Sequence, residues 1–598
     1  MAAVDALRRR RTQTEPTEPA ARAPTAARPR PWARVHWGWA LGVTLVLAGS
    51  FALRVWGAGH GMPYAYNADE NAHFVPKAIG LFGHGWNPHY FVNPPAYTYL
   101  LHIVFDVWFG GRDGVSRAYA SDPTEVFVVA RVTAAATGTL AVWLLYLAGA
   151  RFFDRRVGLL AAALMGVAFL PVFYSHLALN DVPTLAPICL ALWGTAGVLR
   201  RGRAIDYLAA GVGVGLACAT KYTGGIVLLP LVAAATAQLR APGGAAPAAR
   251  GLVLAAVAAA LAFFAANPYA LLSFSEFREG LTHQTSVADD AAGKLGSTQT
   301  SGQLYYLWTF TWGLGVVPAG AAIGAIFVLA RDELRLMLVL APAPIIFTAF
   351  MGTQSRFFGR WLIPVFPMVC LLAAYLALEV ALQLSQRRPA LRPTLMALAV
   401  VALCGQGLVY ALHEGMVLSR PDTRNEARRW LKDNVPARTK IVVEPVVPDS
   451  WAQDVGHPLP QGNGNRWTKY ATSRSNRAND GSIIPGEGRI VNIEDYERTL
   501  FPGLIDKYEA EGYCYVVTGS TQRGRAEAQP DVVPDAIAYY RELARRGRVV
   551  HEESPFHAGA DRVGFNFDFS FDYYPLAYER PGAVMTIYRL MGGQCAGP

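Results

Sequence analysis

The sequence predicts a polytopic α-helical membrane protein of about eleven transmembrane helices, followed by a C-terminal external α/β domain. Hydrophobic residues make up 52% of the chain and charged residues only 16%, against about a quarter in ordinary soluble proteins. Apolar runs of about 20 residues, long enough to cross a hydrocarbon core of about 30 Å, recur along the chain as far as residue 412 and then stop. Beyond them, short strand-like and helical patterns alternate, as in a small α/β domain.

Three regions follow from this distribution. Residues 1–34 are rich in Ala, Pro and Arg, and we predict a disordered cytoplasmic tail because so few large apolar side chains cannot drive folding. Residues 35–413 form the transmembrane domain, with a large first external loop at 57–124. The first apolar run begins too late and is too long for a cleaved signal peptide, so it should remain as an anchor. Residues 414–598 form the external domain.

The apolar runs predict eleven spans, each about 15 to 27 residues long. They are 35–56, 125–150, 157–175, 182–199, 205–219, 222–238, 251–272, 304–330, 334–351, 361–382 and 394–413.

Basic residues between the spans predict the orientation of the protein. If the arginines at 8–11 hold the N-terminus in the cytoplasm, five basic connectors also fall inside, as the positive-inside rule requires. They are 151–156, 200–203, 240–250, 331–335 and 387–392. This count requires that the apolar segment 94–109 does not cross the bilayer, so we predict an in-plane or re-entrant helix there. The protein is then a multi-pass protein of the cytoplasmic (inner) membrane whose C-terminal domain is external or periplasmic.

The net charge of +10 reflects these connectors and the tail, so we predict membrane lipids as partners and no nucleic acid. Four of the six cysteines lie in apolar runs without metal-binding spacing, and we interpret them as packing residues. Cys514 and Cys595 lie in the polar C-terminal region and can pair if that region faces an oxidising compartment.

The first external loop carries two adjacent acids, Asp69 and Glu70, just after the first span. Such a pair is suited to take a proton from an acceptor hydroxyl or amine. For Glu70 an equally good interpretation is a capping box, in which Asn67 caps a helix and Glu70 follows three residues later. Asp69 is not needed for that cap, so it is the stronger candidate for a functional acid.

A second acid, Asp181, lies at the end of an apolar run near the same predicted face, five residues after His176. An acid there is costly unless it has a function or a partner. The alternative is that Asp181 caps the next helix. His176 is a secondary candidate because a single histidine is more often a packing residue than a catalyst.

Three cations also lie at this predicted face: Lys221, Arg356 and Arg360. Together they can hold a phosphate, which arginine binds through paired hydrogen bonds. The alternative is that each extends towards lipid headgroups, as single cations at helix ends often do.

His283, in the predicted loop 273–303, is a weaker candidate. No P-loop, Rossmann or common hydrolase motif occurs in a suitable context.

In the order and spacing of its motifs, the chain resembles the polytopic, lipid-carrier-dependent glycosyltransferases of the GT-C fold. These include protein O-mannosyltransferases and lipid A aminoarabinose transferases. The resemblance covers about residues 35–412 and rests on six features. They are Asp69-Glu70, Asn93-Pro94-Pro95, Arg131, Asp181, the turn Thr220-Lys221-Tyr222-Thr223-Gly224, and Arg360-Trp361-Leu362-Ile363-Pro364.

The resemblance implies a mannosyltransferase-like enzyme of the cell envelope that takes a sugar from a polyprenyl-phosphate carrier on the outer face of the membrane. The acceptor would be a lipid, a glycan or a protein, and it would attack the anomeric carbon with inversion. Asp69 would be the general base and Asp181 a second acid that positions the acceptor or the first loop. Lys221, Arg356 and Arg360 would stabilise the phosphate leaving group. Asn93 is a further secondary candidate.

The competing hypothesis is a lipid or small-molecule transporter or flippase, which also needs many spans and a few ionisable groups. Transporters place binding residues near the midplane, often in two repeated halves, whereas the acids and cations here lie at one face. The sequence predicts no metal site and no obligatory cofactor, although some members of the wider fold class use a divalent cation.

Overall fold

The computed structural model describes residues 37–289, 295–296, 301–453, 465–472, 474–475, 489–490, 493–560, 563 and 576–596. The predicted cytoplasmic tail, 1–34, lies outside the described residues.

The described N-terminal two-thirds of the chain is almost entirely helical, as predicted. Its α-helices are α1 Trp37–Val55, α2 Val75–His84, α3 Ala96–Phe109, α4 Arg112–Ser121, α5 Thr124–Phe152, α6 Arg155–Val167, α7 Phe169–Tyr174, α8 Leu185–Arg201, α9 Ala204–Thr220, α10 Leu228–Leu239, α11 Ala245–Ala266, α12 Tyr269–Leu272, α13 Phe274–Asp289, α14 Gly302–Phe310, α15 Val316–Asp332, α16 Leu334–Leu340, α17 Pro342–Met351, α18 Phe366–Ser385 and α19 Arg392–Leu418.

Within the described residues, eight helical stretches are long and apolar enough to cross a membrane. They are Trp37–Val55, Thr124–Phe152, Tyr222–Leu239, Ala245–Ala266, Gly302–Asp332, Leu334–Met351, Gly359–Ser385 and Pro389–Asn434. The other three predicted spans are also helical but shorter: α8 and α9 have 17 residues each, and 157–175 is divided into α6 and α7. The segment predicted to lie in the membrane plane is α3, whose 14 residues are shorter than a typical span.

The C-terminal region folds as the predicted α/β domain. Its strands are β1 Lys440–Val443, β2 Thr468–Lys469, β3 Arg474–Ser475, β4 Arg489–Ile490, β5 Tyr515–Gly519, β6 Gly547–Glu553 and β7 Met585–Leu590. Five of them form a sheet of order β2-β1-β5-β7-β6, in which β1 runs parallel to β2 and β5 while β7 runs antiparallel to β5 and β6. Four helices accompany the strands: α20 Thr423–Asn434, α21 Gly503–Glu511, α22 Ser520–Ala528 and α23 Pro534–Arg546.

Helix α20 joins this domain to the first loop of the membrane domain. The Tyr66 hydroxyl donates to Asn425 Oδ1 at 2.6 Å, and Asn425 Nδ2 donates to the carbonyl of Met62 at 3.0 Å. The Arg424 guanidinium lies 3.6 Å from the centre of the Tyr66 ring, a close cation–π contact. Since Tyr66 precedes Asp69 by only three residues, the C-terminal domain holds the chain leading into the first-loop acids.

Cys514 and Cys595, whose pairing the sequence left open, form a disulfide that links the start of β5 to the end of the domain across 81 residues. We expect Cys514→Ser to destabilise the C-terminal domain by roughly 4 kcal/mol, because the unfolded chain regains the freedom of a long loop. Limited proteolysis at increasing temperature would measure the effect. Cys218→Ser, which removes a free thiol of the membrane domain, is the control. Equal resistance of Cys514→Ser and wild type would contradict the prediction.

Candidate active site

Asp69 lies in the first turn of a helical segment that follows the first membrane helix. Asn67 begins this segment, and its Oδ1 accepts hydrogen bonds from the backbone N–H groups of Asp69 and Glu70, each at 3.1 Å. The chain continues through a π-helical turn, Glu70–Phe74, into α2. Asn67 is therefore a helix cap, as the capping-box interpretation predicted.

Glu70 does not complete the capping box, because its side chain turns inward to Arg131. Both carboxylate oxygens accept hydrogen bonds from the Arg131 guanidinium at 2.7 Å, and the N–H of Ala178 donates to Oε1 at 2.9 Å. Glu70 and Arg131 are both fully buried. Arg131 also donates to the carbonyls of Ala58 and His60. This ion pair connects the first loop to α5 and to the segment after α7. The contacts of Glu70 therefore indicate a structural role.

Asp69, by contrast, is 37% exposed and pairs with Arg360, whose Nη2 lies 2.8 Å from Oδ2. Burial raises the pKa of Asp69, but the charge and hydrogen bond of Arg360, helped by His73 and Arg356, outweigh it and hold the pKa below its usual value. Asp69 is therefore an ionised, accessible carboxylate at neutral pH. It has the protonation state that a general base requires.

Asp181 forms the second ion pair of the region, with Lys221 Nζ. Asp181 is buried in a non-helical segment between α7 and α8, and Lys221 follows the last residue of α9. Asn180 Nδ2 donates to the Thr220 carbonyl at 2.8 Å, which holds the two segments side by side. The pairing explains how a buried acid and a buried lysine are tolerated, since each neutralises the other.

The two ion pairs belong to one electrostatic cluster. Burial and the nearby Arg360 lower the pKa of Lys221, while Asp181 and Asp69 raise it, and the net shift is downward. Arg356 and Arg360 both lie against the ring of Phe358, with 4.9 and 5.1 Å to its centre. The three predicted phosphate-binding cations are thus electrostatic neighbours of Asp69 or Asp181. Arginine and lysine side chains grouped in this way are suited to bind an anionic group such as a phosphate.

Sequence analysis did not single out two members of this neighbourhood, His73 and Tyr90. Their rings stack with centres 4.8 Å apart, and burial raises the pKa of Tyr90 to about 12. Asn93, a secondary candidate, donates to the Tyr90 hydroxyl at 3.0 Å. His73 had a signal in the sequence, because it follows Asp69 by four residues and so shares its helix face. Tyr90 had none.

The other secondary candidates lie elsewhere. His176 is fully buried, with Nδ1 3.2 Å from the Phe173 carbonyl and Nε2 3.1 Å from the Trp56 carbonyl, so it joins α7 to the end of the first membrane helix. His176 is therefore a packing residue, which was the alternative to a catalytic role in the sequence analysis. His283 is exposed on α13.

Asp69, Glu70 and Asp181 are each paired with an arginine or lysine. Within the described parts of the chain, no group of three His, Cys, Asp or Glu side chains converges as metal ligands.

Residues 124–269, about a quarter of the chain, match the family model of dolichyl-phosphate-mannose-protein mannosyltransferases. They include Arg131, Asp181 and Lys221. Over this segment the match agrees with the resemblance seen in the sequence, because the chain is here similar to a family of lipid-carrier-dependent glycosyltransferases. A search of curated protein sequences found no match.

Among solved structures, the chain is similar to ArnT from Cupriavidus metallidurans bound to undecaprenyl phosphate, with 15% identity, 95% of this chain and 100% of that chain covered, and a TM-score of 0.49. It is similar to the Archaeoglobus fulgidus oligosaccharyltransferase tethered with an acceptor peptide, with 15% identity, 85% and 72% covered, and a TM-score of 0.48. The S. cerevisiae Pmt1-Pmt2 complex bound to the sugar donor matches at 20% identity over 42% of this chain and 35% of that chain, with a TM-score of 0.31.

Proposed function

We propose that the chain transfers a sugar from a polyprenyl-phosphate carrier to a lipid, glycan or protein acceptor at the outer face of the cytoplasmic membrane, with inversion. The observation that carries this proposal is the contact of 2.8 Å between Asp69 and Arg360. It places an accessible carboxylate beside the cations suited to bind a phosphate. A base and a leaving-group site are the two parts that such a displacement needs.

In this mechanism the acceptor hydroxyl or amine attacks the anomeric carbon while Asp69 takes its proton. The bond between the anomeric carbon and the phosphate oxygen breaks, and its electron pair leaves with the phosphate. Arg360, Arg356 and Lys221 stabilise the charge that develops there. The donor phosphate competes with Asp69 for Arg360, so donor binding frees the carboxylate to act on the acceptor.

Asp181 and Glu70 act as positioning residues in this scheme. Asp181 holds Lys221, whose ammonium would otherwise be buried without a counter-charge. Glu70 fixes the first loop through Arg131, one residue from the base. Tyr90, which contacts both Asn93 and His73, is an electrostatic neighbour of Asp69.

Two observations support an external site. The positive-inside rule predicts that the first loop, the Lys221 turn and the C-terminal domain share the outer side. The disulfide between Cys514 and Cys595 is typical of a domain in an oxidising compartment.

The test is release of free polyprenyl phosphate from a labelled polyprenyl-phosphate sugar by the full chain in membranes supplied with a cell-envelope extract. We expect release that depends on the extract and transfer of the label to a component of it. Movement of intact donor across vesicles without release would instead support a transporter. Because the donor sugar is not identified, the assay is repeated with a panel of different sugars on the carrier.

The Asp69–Arg360 contact also predicts a pH effect. Because Arg360 lowers the pKa of Asp69, Arg360→Gln should raise that pKa and move the acidic limb of the pH profile of kcat/KM to higher pH. Turnover would fall as well, so the readout is the position of the limb after each profile is normalised. Arg331→Gln, at an exposed arginine of a predicted cytoplasmic connector, is the control. An unmoved limb in Arg360→Gln would mean that Asp69 is not the titrating base.

A further inference from the structure

A basic cavity of about 420 Å³ lies where α5 and α8 end and α9 begins. Neither the ion-pair cluster nor the proposed reaction involves it. Its lining residues are Leu147, Ala150, Arg151, Trp193, Arg201, Arg203, Ile205 and Asp206.

The cavity lies at the opposite end of the helices that carry the candidate active site. Helix α5 contacts Glu70 through Arg131 and reaches the cavity at Arg151, twenty residues later. At about 1.5 Å per residue this is about 30 Å, the thickness of a bilayer core. Helix α9 likewise begins at the cavity and ends next to Lys221. If the candidate active site lies at the outer membrane interface, as the proposed function has it, the cavity lies at the inner one.

Three guanidinium groups and one carboxylate line the cavity, which leaves two positive charges in excess. Asp206 is buried and is neutralised by Arg151, which also lies 4.5 Å from the centre of the Trp193 ring. Arg203 approaches Asp206 only through Nε, at 3.5 Å, and is half exposed. The Arg201 guanidinium makes no ion pair or hydrogen bond within the part of the chain that the structure describes. Arg201 and Arg203 are thus available to an anion.

Exposed apolar side chains adjoin the charges on α5 and α9. Ile205 is 56% exposed and Leu208, one turn further along α9, is 38% exposed. On α5, Trp143 is 42% exposed one turn before Leu147. A free phosphate or a soluble anion cannot cover this apolar surface, whereas the acyl chains of a phospholipid can pack against it.

We propose that this cavity is a binding site for the headgroup of an anionic phospholipid. The phosphate lies between Arg201 and Arg203, and the acyl chains run along Ile205, Leu208 and Leu147 into the bilayer. Basic pockets between membrane helices are typical sites for anionic lipid headgroups. The bound lipid would tie together α5, α8 and α9. Arg131 lies on α5, Asp181 precedes α8 and Lys221 follows α9.

Native mass spectrometry of the full-length protein in a neutral detergent would test the proposal, with equimolar phosphatidylglycerol and phosphatidylcholine as probes. We expect wild type to retain phosphatidylglycerol preferentially. R201Q/R203Q should retain it roughly 10- to 30-fold less well, as expected for two cations lost at an anionic lipid. R387Q/R388Q is the matched control, because it removes two exposed charges from another basic connector and should behave as wild type.

Equal retention by wild type and R201Q/R203Q would overturn the proposal, and so would an equal loss in R387Q/R388Q, which would indicate general surface charge. Displacement of phosphatidylglycerol by millimolar sodium phosphate would assign the site to free phosphate instead. Arg151 is left intact because its removal together with that of Arg203 would leave Asp206 buried without either of its basic partners. If the double variant is unstable in detergent, R201Q alone serves, with an expected loss of about fivefold.

Discussion

Asp69→Asn is expected to lower turnover by about 10²- to 10⁴-fold, the usual contribution of a general base, while leaving the fold intact. The amide is nearly the same size as the carboxylate and can still accept a hydrogen bond from Arg360. It cannot take a proton from the acceptor. Because Asp69 is partly exposed and is not part of the buried core, the change should not alter expression, and the loss of its ion pair with Arg360 should lower the thermal midpoint only slightly.

The measurement is acceptor-dependent release of polyprenyl phosphate by wild type and Asp69→Asn at equal protein levels. Asp113→Asn is the matched control, since Asp113 is an exposed acid of the same first loop. Release by Asp113→Asn should equal that of wild type. Equal release by Asp69→Asn and wild type would remove Asp69 as the base while leaving the assignment as a glycosyltransferase untouched.

Glu70→Gln is expected to act on stability, by about 3 to 5 kcal/mol, because it leaves the Arg131 charge buried without a counter-charge. The thermal midpoint of the detergent-solubilised protein should fall markedly, and any loss of activity should follow the loss of folded protein. Glu70→Leu combined with Arg131→Met should be less destabilised than the sum of the two single changes, since no charge is left unpaired.

This prediction separates the two interpretations of the adjacent acids. If Glu70→Gln unfolds at the wild-type temperature and yet loses turnover, Glu70 takes part in the reaction and the positioning role is wrong. Asp69→Asn should show the reverse pattern, with a midpoint close to that of wild type and little turnover.

The amino-acid sequence alone determined the architecture, and it indicated a class of enzyme through a family resemblance. Apolar runs of bilayer length and an α/β pattern after residue 412 are properties of contiguous segments, and each predicted span coincides with helical structure. The Asp69-Glu70 pair, Asp181, and the Lys221 and Arg360 motifs were recognisable because their order along the chain resembles a known family. The matched model over residues 124–269 supports that class.

Only the tertiary structure decided which charge pairs with which. Asp69 meets Arg360 across 291 positions in the chain, and Glu70 meets Arg131 across 61. Two neighbouring carboxylates therefore have opposite environments, one partly exposed and one fully buried. A linear pattern cannot distinguish them, because burial and electrostatic neighbours depend on how distant helices pack. For the same reason, Tyr90 could not be recognised from the sequence. This residue contacts Asn93 and His73 only in the folded first loop.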